Sequence, residues 1–298
     1  MQRTKTIQKA DAILTSDWHL REVTDTPICR TDDFQVAQWE KVDFVSALQK
    51  KHDCPVLFGG DLFEHWKPSP WLLSKTMEHL PDQFKAIYGN HCLPQHSISL
   101  QDKSGVFALR TALALEILPG THWGHLPKEE SLEIKGKKIL VYHVMTYQGK
   151  KPWPGCTDPM GAKLLRQYPE YDLILTGHNH KAFIEHYGHK GSRYTTIVNP
   201  GSLMRQEAGQ IDFRPRVYLY YADTNSVEPV YLPIEQGVVT RGHIEEQEER
   251  DGRIDSFISK LETDWEAGVV FQDNLEQFFQ TNKIENEVKE IVQKSLEI

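Results

Sequence analysis

Five short apolar runs in this 298-residue chain each lead to a residue that can hold a metal ion, and this shared ending constrains the fold most. Ala12-Ile13-Leu14 leads to Asp17-Trp18-His19, Pro55-Val56-Leu57-Phe58 to Gly59-Gly60-Asp61, and Ala86-Ile87-Tyr88 to Gly89-Asn90-His91. Ile139-Leu140-Val141-Tyr142 leads to His143, and Leu173-Ile174-Leu175-Thr176 to Gly177-His178-Asn179-His180. Open α/β sheets place their ligand sites at the carboxyl ends of strands, where the strands stop and the loops diverge. Asp17 and His19 are two apart, as are His178 and His180, and in extended backbone such side chains project to the same side. Each pair can converge on one ion. A lone histidine beside a strand is ordinarily a packed or surface residue. Five endings in one order, each at a predicted strand end, are poorly explained by coincidence.

The donor set narrows the metal. Asp17, Asp61, Asn90, His19, His143, His178 and His180 offer oxygen and nitrogen without a thiolate. They suit manganese, iron or zinc, with magnesium a further alternative, better than a soft-metal or iron–sulfur site.

Amphipathic segments alternate with the apolar runs. Thr31 reads as an N-cap, with Asp32 and Asp33 in the first turn and Phe34, Ala37, Val42, Val45 and Leu48 at helical spacing, which predicts a helix over 32–51. Ser69-Pro70 predicts a second helix running through Trp71, Leu72, Met77 and Leu80. Ser131 to Tyr142 reads as a hairpin turning at Lys135-Gly136. Interleaved helices and strands favour an α/β fold, and the length allows one large domain, or a domain of about 200–250 residues with an appendage.

The formal charge of −8 argues at first against a nucleic-acid partner, but it is unevenly spread. Residues 241–298 hold 7 Lys/Arg and 15 Asp/Glu, leaving 27 of each sign in residues 1–240. The expected organisation is a neutral catalytic domain over 1–240 and an acidic, mostly helical region over 241–298. The charge then bears on solubility and partner choice. Met1 to Asp11 has no apolar signal-peptide core and no membrane-spanning run, so a cytoplasmic protein with no membrane association is expected. Cys29, Cys54, Cys92 and Cys156 are at least 25 residues apart, which fits reduced thiols better than a disulfide framework or a CxxC metal pair.

Taken together, the motifs DxH, GD, GNH, H and GHxH resemble the signature of the calcineurin-like metallophosphoesterases over residues 12–205. The resemblance implies a β-sandwich flanked by helices, in α/β/β/α layers, with two divalent ions at its edge. By position, Asp17, His19, Asp61 and His180 would hold one ion and Asp61, Asn90, His143 and His178 the other, with Asp61 as the bridge. His91 would remain free of metal and act as general acid toward the leaving oxygen, a task suited to an imidazole. The implied reaction is direct attack of a metal-activated hydroxide on phosphorus, without a covalent enzyme intermediate; two ions about 3.5–4 Å apart stabilise such a displacement.

Within that superfamily, Gly59-Gly60-Asp61-Leu62-Phe63 followed by Lys67-Pro68-Ser69-Pro70 is similar to the SbcD-type nucleases of DNA double-strand-break repair, as is Asn199-Pro200-Gly201-Ser202. The GDxxDRG-type motif of phosphoprotein phosphatases is absent. Three departures stand out. Cys92 follows Gly89-Asn90-His91 where those nucleases carry Asp, and reads either as a small buried residue or as a reactive thiol. Glu64 stands where many members place a His, with His65 beside it as a surface or substrate-touching residue. His143 follows His91 by only 52 residues, as in a compact, phage-borne member.

Substrate contacts are expected from His65, Trp66, Lys67, Lys150, Lys151, Trp153, Lys181 and Arg205, cations for phosphates and aromatic faces for bases, as in binding of single strands or frayed duplex ends. Trp66 and Trp153 read equally well as loop anchors. In the tail, Ile254, Phe257, Ile258, Leu261 and Trp265 form an apolar stripe at helical spacing, and Val288, Ile291, Val292 and Leu296 form another. The resemblance implies docking of an SbcC-type ABC ATPase there; packing within the chain is the other reading. A homodimer is a further expectation. The leading function is a two-metal, manganese-dependent DNA exo/endonuclease. The alternatives are a phosphodiesterase for cyclic or linear nucleotides and a catalytically weak metal-binding scaffold.

Overall fold

The computed structural model describes residues 8–118, 122–123, 132–188, 194–263 and 271–296. Contacts divide the chain into Met1–Thr240 and Arg241–Ile298. In the first unit the strands are β1 (Ala12–Thr15), β2 (Val56–Phe58), β3 (Phe84–Ala86), β4 (Glu116–Ile117), β5 (Leu132–Ile134), β6 (Lys137–Tyr142), β7 (Leu173–Thr176), β8 (Phe183–Gly188), β9 (Tyr194–Asn199), β10 (Arg216–Tyr221) and β11 (Ser226–Tyr231). They form one sheet in the order β11-β10-β1-β2-β3-β4 and another in the order β5-β6-β7-β9-β8. The runs β1-β2-β3 and β6-β7-β9 are parallel, so each sheet sends several carboxyl ends the same way.

Alternation along the strands sets the layers. Ala12 and Leu14 of β1 and Leu57 of β2 face Ile139, Val141, Leu173, Leu175 and Val198 in a core between the two sheets. Ile13, Val56, Phe58 and Phe84 turn the other way, onto helices α1 (Phe34–His52), α2 (Pro70–His79) and α3 (Gly105–Thr111). On the opposite outer face, Leu140, Ile174 and Ile197 meet Leu164 and Leu165 of α4 (Gly161–Gln167). Strands buried on both faces read as continuous apolar runs. The result is an α/β/β/α sandwich.

Local details depart from the sequence reading where tertiary contacts intervene. The α1 cap lies at Asp33, which accepts the Val36 N–H at 3.1 Å, and not at Thr31. Thr31 is drawn away by its main-chain bond to the Val238 carbonyl at 3.0 Å. The helix ends at Asp53 in the left-handed region, φ 54°, where its N–H reaches the Gln49 carbonyl. In α2, Ser69 accepts the Leu72 N–H and Pro70 occupies the first turn, but Trp71 and Met77 face solvent while Leu72 is buried. The hairpin turns at Lys135 (φ 48°) and Gly136 (φ 74°), the left-handed pair that a two-residue turn between twisted strands needs; Ser131 lies outside the described residues.

The second unit contains α5 (Gly242–Thr263), α6 (Phe271–Thr281) and α7 (Asn286–Leu296). Leu275 and Phe279 are buried, whereas Ile254, Ile258, Val288 and Ile291 are exposed. Trp265 and the side chains of Phe257, Leu261 and Leu296 lie outside the described residues. All four cysteines are buried free thiols. Among the described residues, no helix is long and apolar enough to cross a membrane.

Candidate metal centre

The loops after β1, β2, β3, β6 and β7 meet and are stitched together by main-chain bonds. Asp17 N–H reaches the Gly60 carbonyl and His19 N–H the Asp61 carbonyl, each at 3.0 Å, and His178 N–H reaches the Asp17 carboxylate at 2.9 Å. Asp17, His19, Asp61 and His178 all have positive φ, between 46° and 73°. Non-glycine residues in that region cost about 1–2 kcal/mol each. The tight turns bring side chains from five loops to one place. Two glycines make room: a Cβ on Gly89 would lie 2.1 Å from Asp61 Oδ1, and one on Gly60, whose φ is 101°, would lie 2.5 Å from His143 Nδ1.

Three groups of candidate donors result among the described residues, and one of them, His19, Glu64 and His91, shares His19 with another. Asp17, His19 and His180 converge within 4.8 Å, as do Asp61, His143 and His178. Asp61 Oδ2 joins them, 3.8 Å from His19 Nε2 and 3.1 Å from His143 Nε2. The Asn90 amide oxygen belongs to the second group, 3.0 Å from His143 Nε2 and 2.8 Å from His178 Nδ1.

The tautomers can be read from the acceptors. His143 Nδ1 donates to the Gly59 carbonyl at 2.7 Å, so a neutral ring turns an Nε2 lone pair onto the oxygens of Asp61 and Asn90. His19 Nδ1 donates to Glu64 Oε2 at 2.8 Å, which turns its Nε2 lone pair toward Asp17, Asp61 and His180 Nε2, the last at 3.1 Å. Lone pairs facing one another call for either a proton or a cation between them. Burial opposes charge on His19, yet the Asp17 carboxylate 3.8 Å away, the hydrogen bond to Glu64 and the charge of Asp61 outweigh it and lift the imidazole to about 10. His143 is raised against burial by Asp61. Asp17 and Asp61 resist burial as well: the nearby His19 ring and the charge of His143, respectively, lead in holding them below the usual carboxylate range. His178, desolvated and beside His143, falls to about 4. A divalent cation would replace those protons, and the carboxylate, amide and imidazole donors fit one.

His91 stands beside this cluster. Its main-chain N–H binds Asp61 Oδ1 at 2.9 Å, and its Nδ1 donates to the Glu64 carbonyl at 2.7 Å. Its ring packs edge-on against that of His19 at 4.7 Å. Cys92 is buried, and burial followed by the charge of Asp61 pushes its thiol up to about 12, so it is a packed residue and not a thiolate.

Most of the residues expected to touch substrate are exposed. Lys67, Lys150, Lys151, Lys181 and Trp153 are exposed, and Trp66 is half-buried with its carbonyl accepting the Gly105 N–H. His65 is exposed and lies 3.5 Å from Asp25. Arg205 departs from expectation: it is 3 % exposed and donates to the carbonyls of Ile211 and Glu235, so it braces the scaffold. Two further residues outside the strand-end motifs face the cluster. Glu64 contacts both His19 and His91, and the Trp123 ring lies 4.8 Å from His178 and 5.9 Å from His143.

Residues 13–219 match the family described as the calcineurin-like phosphoesterase superfamily domain. No curated protein matches the chain. Among solved structures, Vacuolar Protein Sorting 29 from Cryptosporidium parvum is 15% identical over 75% of this chain and 97% of that one, with a TM-score of 0.36. Wild-type Vps29 complexed with zinc from Entamoeba histolytica is 17% identical over 74% and 97%, with a TM-score of 0.34.

Proposed function

The chain belongs to the calcineurin-like phosphoesterase superfamily and is a metal-dependent phosphoesterase, and on that premise we propose that it cleaves DNA phosphodiesters as a manganese-dependent exo/endonuclease of the SbcD type. The observation that carries a two-metal reading is Asp61 Oδ2, one oxygen facing a histidine from each donor group. Asp17, His19, His180 and Asp61 would hold one ion, and Asp61, Asn90, His143 and His178 the other. Ions held there supply Lewis acidity for the phosphate and for a water nucleophile.

The protein's own residues do the rest. Asp61 and Asn90 fix the rings of the second group, and Asp17, anchored by Ser16 Oγ at 2.5 Å and the His178 N–H, stands 3.8 Å from His19 Nε2 and 3.9 Å from His180 Nε2. Because His91 Nδ1–H is committed to the Glu64 carbonyl, the proton it can hand to a departing alkoxide sits on Nε2.

A nucleic-acid substrate is supported by the neutral charge balance of residues 1–240 and by exposed Lys67, Lys150, Lys151, Lys181 and Trp153. The test compares 3′-labelled duplex DNA, single-stranded DNA and cyclic or linear nucleotides with manganese. Cleavage of the DNAs is expected; turnover of nucleotides alone would replace this reading with a small-molecule phosphodiesterase. An SbcC-type ATPase docked on residues 241–298 belongs to the same proposal, supported by the exposed apolar side chains of α7, and co-purification of full-length and 1–240 chains with a candidate ATPase tests it.

A further inference from the structure

We infer that Glu64 is a positioning residue serving both halves of the reaction: its carboxylate aims His19 at a metal and its main-chain carbonyl aims His91 at the leaving group. This rests on the two-metal reading above. Glu64 lies three residues beyond Asp61, on the loop that leaves Asp61 with a φ of 59°. Its own N–H is held by the Leu20 carbonyl at 3.2 Å, directly after His19 in the chain. One short segment therefore faces the first donor group with its side chain and the acid with its backbone.

Both contacts are one-way. A carboxylate and a carbonyl can only accept, so Nδ1 is the protonated nitrogen in His19 (2.8 Å) and in His91 (2.7 Å), and Nε2 is the working nitrogen of each. A carboxylate behind a ligating imidazole fixes its tautomer and raises its basicity. The Glu64 carboxylate is restrained in turn by Arg21, whose NH2 lies 3.0 Å from Oε2 and 2.8 Å from Gln206 Oε1. The Glu64 side chain is 17 % exposed and that of His19 only 2 %, so water competes little for the bond. Beside His91 the chain carries Cys92, a buried thiol, and it is the Glu64 carbonyl that orients the ring.

The test is calorimetric titration of manganese into metal-stripped full-length wild type, Glu64→Gln and Glu64→Ala, with thermal melts as the folding control. Glu64→Ala is expected to bind manganese about 10–100-fold more weakly, and Glu64→Gln, whose amide oxygen can still accept from His19, to recover most of that loss. Wild-type affinity in Glu64→Ala, or a Gln variant as weak as the Ala variant, would overturn the carboxylate half. Nitrogen NMR of the His91 ring tests the other half: the neutral ring should carry its proton on Nδ1 in all three proteins, and an Nε2–H tautomer would overturn it. A wild type that takes up no manganese would overturn the two-metal reading itself.

Discussion

His91 gives its main-chain N–H to Asp61 Oδ1 at 2.9 Å, so the proposed acid is tied by its backbone to the carboxylate proposed as the bridge, while its ring, held at Nδ1 by the Glu64 carbonyl, keeps Nε2 for chemistry. His91→Ala keeps that tie. It is expected to bind manganese as wild type does while turnover falls about 10²–10⁴-fold, the usual span for losing a general acid. Metal content by elemental analysis beside turnover on bis(p-nitrophenyl) phosphate checks this; loss of metal with activity would make His91 a part of the ligand shell instead.

Gly89 has no room for a side chain, because a Cβ would fall 2.1 Å from Asp61 Oδ1 and 2.6 Å from Asp61 Cγ. Gly89→Ala must push either the loop after β3 or the Asp61 carboxylate aside, at a cost of about 1–3 kcal/mol as for other overpacked sites. The expected outcome is a folded, less stable protein whose manganese affinity drops, seen in a melt and a titration. Unchanged metal binding would show that the loop yields and Asp61 does not.

Lys41 on α1 is 5 % exposed; burial first, then the charges of Arg30 and Arg205, bring its ammonium down to about 8. In the unfolded chain it titrates near 10.5. Below about pH 8 both states hold the proton and the folded state carries the full penalty. Between about 8 and 10.5 the unfolded state binds more protons, so the penalty fades as pH rises. Lys41→Met is therefore expected to be more stable than wild type at pH 7, by about 1–3 kcal/mol, with the gap closing toward pH 10. Urea denaturation of both proteins at the two pH values measures it. A variant less stable at pH 7 would mean that the bond from Lys41 Nζ to the Ala37 carbonyl at 3.2 Å outweighs the burial cost.

The residues that could be read from sequence are those whose chemistry depends on their own type and on the end of their own strand. Asp17, His19, Asp61, Asn90, His143, His178 and His180 each follow an apolar run, and the layers follow because those runs are buried on both faces. Features set by distant partners were not legible. Asp33 caps α1 because Thr31 is held by Val238, 207 residues away, and the guanidinium of Arg205 is buried against the carbonyls of Ile211 and Glu235. The two contacts of Glu64 depend on where His19 and His91 end up, which its place in the sequence does not show. Trp123 gave no local signal, because it follows no apolar run with a ligand at its end.

The most direct measurement is an anomalous difference map from crystals soaked in manganese. Two peaks about 3.5–4 Å apart, one among Asp17, His19 and His180, the other among Asn90, His143 and His178, with Asp61 between them, are expected. No peak, or a single ion away from Asp61, would contradict the two-metal centre.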